Sequence, residues 1–267
     1  ISHASQSVFR DSVFLNTTHS TAHIIFCNSS TLATLEQEAV IVTGSTGLTN
    51  GKITLKALQQ TSNKSNILNG TGNLLVNVDS CQFTGEVNIT APSILIKNNI
   101  FNAATTLIKT TASTNSYSSG GNIFNSTATI ENQDATRAFR LANETGDTYN
   151  ADVKFDTGTN NVQVGYKGNN YFAGNITINS TKVVFNASSG KMILKGANDQ
   201  IFYGEAAYNI GKLEINKEAG TITLTRSMTI DSSITFIKGI INTDSTITLK
   251  AAVNCSGASN LSFVDGP

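Results

Sequence analysis

The densest run of charged side chains, Glu131, Asp134, Arg137, Arg140, Glu144, Asp147, Asp152, Lys154 and Asp156, is where this chain could do acid–base or metal chemistry. Two carboxylates flanking a groove can hydrolyse a glycosidic bond. A tight acidic loop offering about six to eight oxygens can hold calcium. If segments of this spacing stack, Asp134 and Asp156 fall one above the other, in a calcium-binding or lyase-like patch. No compact acidic loop surrounds them, however, and the signs are mixed. The run therefore reads as a solvated face with ordinary ion pairs, each worth little.

Other reactive types are sparse. His3, His19 and His23 are the only histidines and sit near the beginning. Cys27, Cys81 and Cys255 are too far apart for a zinc site, allow at most one disulfide, and read as buried or semi-buried free thiols on inward strand positions. Tyr117, Tyr166, Tyr171, Tyr203 and Tyr208 suggest either a stacking platform for sugar rings or fillers of structural corners. No catalytic residue, metal ligand or cofactor is expected, and the ligand is left open.

The elements that would position these groups show in a repeat. Asn99-Ile100-Phe101-Asn102 precedes Leu107-Ile108, and Asn122-Ile123-Phe124-Asn125 precedes Ala128-Thr129-Ile130. Asp147-Thr148-Tyr149-Asn150 then precedes Val153-Lys154-Phe155, and Asn170-Tyr171-Phe172 precedes Ile176-Thr177-Ile178. Phe101, Phe124, Tyr149 and Phe172 recur every 23 to 25 residues, a period that marks a solenoid whose turns cannot bury an apolar face alone. The aromatics, with Asn102, Asn125 and Asn150, are expected to stack from turn to turn, asparagine bonding to asparagine along the axis. In the last third, Ile222-Thr223-Leu224 is expected to stack on Ile247-Thr248-Leu249, and Ile234-Thr235-Phe236 on Leu261-Ser262-Phe263.

Composition agrees. Asn, Ser and Thr make up about a third of the 267 residues, 13% are charged, 39% are hydrophobic, and the net charge is zero. Apolar residues lie in short alternating β-branched runs separated by Gly, Asn, Asp and Ser, which predicts strands and tight bends rather than helices or disorder. Clear strands are expected at His23–Cys27, Ala39–Thr43, Lys52–Leu58, Leu74–Val78, Glu86–Ile89, Ser93–Ile96, Val162–Val164, Val183–Phe185 and Met192–Leu194. The expected fold is all-β: a right-handed parallel β-helix with coils of about 23–25 residues, roughly 11 of them, in a rod near 55 Å long. Residues 1–267 read as one module, with Ser113–Gly121 as a loop inside one coil and a change of repeat style near residue 200. Scattered Lys and Arg give no nucleic-acid footprint, and no apolar run is long enough to cross a membrane as a helix. The chain opens at Ile1 without a leader and reads as an excerpt of a longer protein.

The strings Gly121 to Thr127, Leu141 to Asn150, Phe172 to Ile178, Leu213 to Lys217, Gly239 to Thr243 and Ser256 to Pro267 resemble the long repetitive surface proteins of gliding and related Bacteroidota, which are secreted through the type IX system and include giant adhesins. The resemblance covers roughly residues 95 to 267. It implies an extracellular, cell-surface adhesin module linked to gliding motility. Its implied partners are surfaces or glycans, the secretion machinery and neighbouring modules of the same chain. It carries over no catalytic residue. It also implies bacterial O-glycosylation candidates at Asp11-Ser12-Val13 and Asp244-Ser245-Thr246, whereas the dozen or so Asn-x-Ser/Thr sequons, including Asn16, Asn88, Asn125, Asn179 and Asn254, read as composition.

The β-helix scaffold also houses pectin-degrading enzymes. Asn242-Thr243-Asp244 matches one element of the polygalacturonase signature, but the paired aspartates, Gly-His-Gly and Arg-Ile-Lys elements are missing. A polysaccharide-active enzyme or carbohydrate-binding domain is therefore the rival to a non-catalytic adhesin module.

Overall fold

The computed structural model describes residues 7–16, 22–27, 32–36, 39–43, 51–111, 115–185, 188–205 and 207–266. His3, His19 and Pro267 lie outside them. Among the described residues every regular element is a strand, and every third strand returns to the same side of a parallel β-solenoid.

The first side stacks Val8–Phe9, Ala33–Leu35, Leu58–Gln60, Gln82–Phe83, Ile100–Phe101, Ile123–Phe124, Thr148–Tyr149, Asn170–Phe172 and Met192–Gly196. The second stacks Val13–Asn16, Val40–Thr43, Asn66–Asn69, Val87–Ala91, Thr105–Lys109, Ala128–Asn132, Val153–Thr157, Ile176–Ile178 and Gln200–Gly204. The third runs His23–Phe26, Lys52–Lys56, Leu75–Asp79 and Ser93–Lys97, then Ser116–Tyr117, Phe139–Arg140, Val162–Val164 and Val183–Phe185. Tyr208–Leu224 and Met228–Thr243 each bend round corners and serve all three sides, so pairing continues through residue 200.

Alternation explains why these sequences fill the column. Ala128–Asn132 and Val153–Thr157 each point residues one, three and five inward and leave two and four half-buried, as a period of two requires. Five described corners between the third and first sides hold non-glycine residues in the left-handed conformation: Cys27, Ala57, Ser80, Asn98 and Ala142, with φ between 48° and 60°. At the corner between Ser116–Tyr117 and Ile123–Phe124, Gly120 has φ +95°, and a Cβ there would meet the Thr145 carbonyl oxygen at 1.8 Å, so only glycine fits.

Two expectations fail here for physical reasons. Ser113–Gly121 is not simply a loop, because Ser116–Tyr117 forms a rung of the third side. There the backbone ladder is interrupted: the N–H groups of Ile94 and Ile96 donate to the hydroxyls of Ser116 and Ser118, each at 3.1 Å, and both serines are fully buried. Buried N–H groups must find an acceptor, and serine supplies one where the carbonyl is out of reach.

The second failure lies in the last third. Ile222 pairs with Ile241 and Ile247 with Met228, while Ile234 pairs with Cys255 and Phe263 with Ile240. Turns here advance by 19 to 23 residues, so a 25-residue spacing carries a strand past its own register partner.

Phe83, Phe101, Phe124, Tyr149 and Phe172 form an unbroken inward stack, with centroids 5.7, 4.9, 4.9 and 5.0 Å apart and planes within 15° of parallel. Strand spacing in a sheet is about 4.7–4.9 Å, so the ladder sets the ring separation. Truncation inside this stack leaves a cavity bounded by rings that the ladder holds in place. Phe124→Ala is expected to lower unfolding free energy in urea by about 3–5 kcal/mol. Ile237→Ala, at a side chain 58% exposed, should stay within about 0.5 kcal/mol. Equal losses would contradict this packing.

Candidate functional site

The first residue of each repeat block builds a buried polar ladder beside the aromatic stack. Asn99 Oδ1 accepts from the Cys81 N–H at 2.9 Å, Asn122 Oδ1 from the Asn99 N–H and Nδ2, and Asp147 Oδ1 from the Asn122 N–H and Nδ2. The Asp147 N–H donates in turn to Asn170 Oδ1 at 2.8 Å. The ladder stops at Asn170 because the next rung presents Met192, and Asn170 Nδ2 is left without a partner. An outer row runs parallel to it. Asn125 Nδ2 donates to Asn102 Oδ1 and Asn150 Nδ2 to Asn125 Oδ1, both at 2.8 Å and both on the exposed surface.

Asp147 stands in the inner ladder where its neighbours have an amide. Asn99 and Asn122 each turn Nδ2 toward an acceptor in the following turn, whereas Asp147 has Oδ2, which is buried without a partner. Burial raises its pKa to about 6 against the pull of the two Asn122 donors. Tyr149 on the same rung also has a buried hydroxyl without a partner, and burial, then the nearby Asp147 charge, pushes it upward.

Asp134 is not on a solvated face. It is fully buried, with Oδ2 2.5 Å from the equally buried Nζ of Lys109 one turn earlier. Its Oδ1 accepts from the Thr136 N–H at 2.8 Å, the Thr136 hydroxyl at 3.0 Å and the Arg137 N–H at 3.1 Å. Nor does it stack on Asp156, whose register partner is Glu131. Asp156 itself pairs with Lys154 at 3.2 Å and accepts from Asn179 Nδ2. The spacing argument failed because Asp134 lies past the end of its strand, in the corner.

The tyrosines do not form one platform. Tyr208 is buried inside the column, and burial raises its hydroxyl well above its usual value. Tyr171 and Tyr203 sit on the first and second sides respectively. Tyr117 and Tyr166 are bridged by the Arg140 guanidinium, 4.1 Å from the first ring centroid and 3.5 Å from the second. Gln163 Oε1 at 2.7 Å and Asn143 Oδ1 at 3.3 Å fix the guanidinium in plane. Here an exposed aromatic, a cation and two amides converge, and the sequence clue was Arg140 lying one turn after Tyr117.

Cys27 and Cys81 are buried, and loss of solvent lifts their thiols to about 11 and about 12. Cys255 belongs to the final turn and is exposed, against the expectation that all three face inward. Asn242-Thr243-Asp244 lies at the end of the second side with Thr243 turned inward, while His23 begins the third side of the first described turn.

Against known proteins, no family model, curated protein or solved structure matches this chain.

Two outcomes follow from these environments. The folded chain holds the Asp147 proton more tightly than the unfolded chain, so its destabilisation is absent below about pH 4, grows as pH rises and is complete above about 6. Asp147→Asn supplies the missing donor. It should therefore raise stability above pH 6 by on the order of 2–3 kcal/mol, a gain that fades toward pH 4. A pH-independent effect would refute this. Separately, a maleimide reagent should modify Cys255 alone in the native protein and all three cysteines in denaturant. Rapid native labelling of Cys27 or Cys81 would contradict their burial.

Proposed function

We propose that this chain is a non-catalytic structural and adhesive module of a large extracellular bacterial surface protein, a rod that spaces or presents adhesive regions. The observation that carries the reading is the continuity of axial contacts. Five rings and two rows of asparagine-type side chains connect turn to turn alongside the backbone ladder. Such a column resists shear between turns because slippage breaks several registered contacts at once. The resemblance to type IX-secreted surface proteins of gliding Bacteroidota supports placing it at the cell surface, among neighbouring modules of the same chain.

The rival enzyme reading looks to Asp134 or Asp156 to act on a polymer. Asp134 is instead enclosed with Lys109 and held by three further donors. A glycan-binding role is favoured by one observation, the Tyr117–Arg140–Tyr166 sandwich, because an exposed ring can stack on a sugar while a fixed guanidinium meets a carboxylate or hydroxyl.

Incubation with uronic-acid polymers should give no shortened or unsaturated product. Turnover that disappears in Asp156→Asn would overturn the non-catalytic reading. On an array of acidic glycans, retention that falls at least tenfold in Arg140→Ala would assign adhesion to the sandwich. Retention unchanged by that substitution would remove the sandwich from the account.

A further inference from the structure

Lys109 ends the strand Thr105–Lys109 at an inward position, the register point occupied one turn later by Asn132 and two turns later by Thr157. An unbranched amine placed there cannot reach solvent, and its Nζ meets the Thr110 carbonyl at 3.2 Å and Asp134 Oδ2 at 2.5 Å. Both side chains have no exposed surface. The other carboxyl oxygen, Oδ1, sits in a cradle of three donors: two backbone N–H groups and the Thr136 hydroxyl. An ion pair alone does not require this division of labour, in which the amine faces one oxygen and the three donors of Thr136 and Arg137 face the other. It is the arrangement that acyl transfer to an amine requires, with the nucleophile on one side and an oxyanion cradle on the other.

We propose that Lys109 and Asp134 form an intramolecular isopeptide bond that joins two consecutive turns of the solenoid. In the dry interior the charged pair is disfavoured, and burial pulls the Lys109 ammonium below its usual value even against the Asp134 contact. A proton passes from Nζ to Oδ2, leaving a neutral amine beside a neutral acid. The Nζ lone pair then adds to Cγ, and the negative charge that develops on Oδ1 is met by the Thr136 and Arg137 donors. Collapse re-forms the carbonyl at Oδ1. The Cγ–Oδ2 bond breaks and Oδ2 leaves as water, taking a second proton from Nζ. One C–N bond is made and one C–O bond is broken, one water is released, and nothing is oxidised or reduced. The linkage stands or falls independently of the adhesin reading.

Mass spectrometry of the whole chain, held folded at neutral pH and denatured just before measurement, tests this. The expected mass is lower than that of the sequence by one water, about 18 Da. Trypsin cannot cut after an acylated lysine, so residues 98–137 should appear as a single peptide carrying that deficit. The unlinked chain would yield 98–109 and 110–137 separately. Lys109→Arg, which keeps the charge, and Asp134→Ala should both restore the full mass. A folded wild-type chain at full mass with Lys109 cleaved overturns the proposal, as does a deficit mapped to any other peptide.

Discussion

The parallel hydrogen-bond ladder between successive turns is the constraint from which the rest of this structure follows. It holds neighbouring strands at a spacing of about 4.8 Å, and a side chain on one turn therefore has its register partner directly above. Rings then stack at 4.9 to 5.0 Å without further adjustment. Amides likewise find an amide at hydrogen-bonding distance in the next turn. Where the ladder fails locally, between Ser93–Lys97 and Ser116–Tyr117, hydroxyls take over its acceptor role rather than leaving donors bare.

The same constraint makes single departures costly. An interior row tolerates only residues whose polar atoms match the rung above and the rung below. Asp147 breaks the amide pattern and inherits an oxygen with no donor. Lys109 breaks an otherwise apolar or neutral row and is rescued by Asp134 from the following corner. One departure leaves an unsatisfied group and the other a partnered one, and the difference lies in whether a corner residue can reach inward.

Much of the scaffold was legible from particular residues. The spacing of Phe101, Phe124, Tyr149 and Phe172 pointed to a solenoid because one residue type recurred where the ladder demands it, and those rings do stack. The same spacing did not reach Phe83, only 18 residues before Phe101 on the same side, since a shorter turn hides the match. In the last third the turns shrink again, and like-looking triplets such as Ile222–Leu224 and Ile247–Leu249 land on different sides. Inward and outward charges were harder to separate. Asp134 and Asp147 look like any surface acids in sequence, and only the position of a corner or of an amide row shows that they are enclosed.

Register is accordingly the property to measure. Gln59 and Thr235 occupy the same outward line of the first side, eight ladder steps apart through Gln82, Ile100, Ile123, Thr148, Tyr171, Ile193 and Glu214. Spin labels on cysteines placed at these two positions, with Cys255 replaced by serine, report the distance by pulsed electron paramagnetic resonance. Eight steps of about 4.8 Å predict a narrow distribution near 38 Å, broadened only by the label arms. A distance below about 25 Å, as in a chain folded back into two packed sheets some 10 Å apart, would contradict the continuous column.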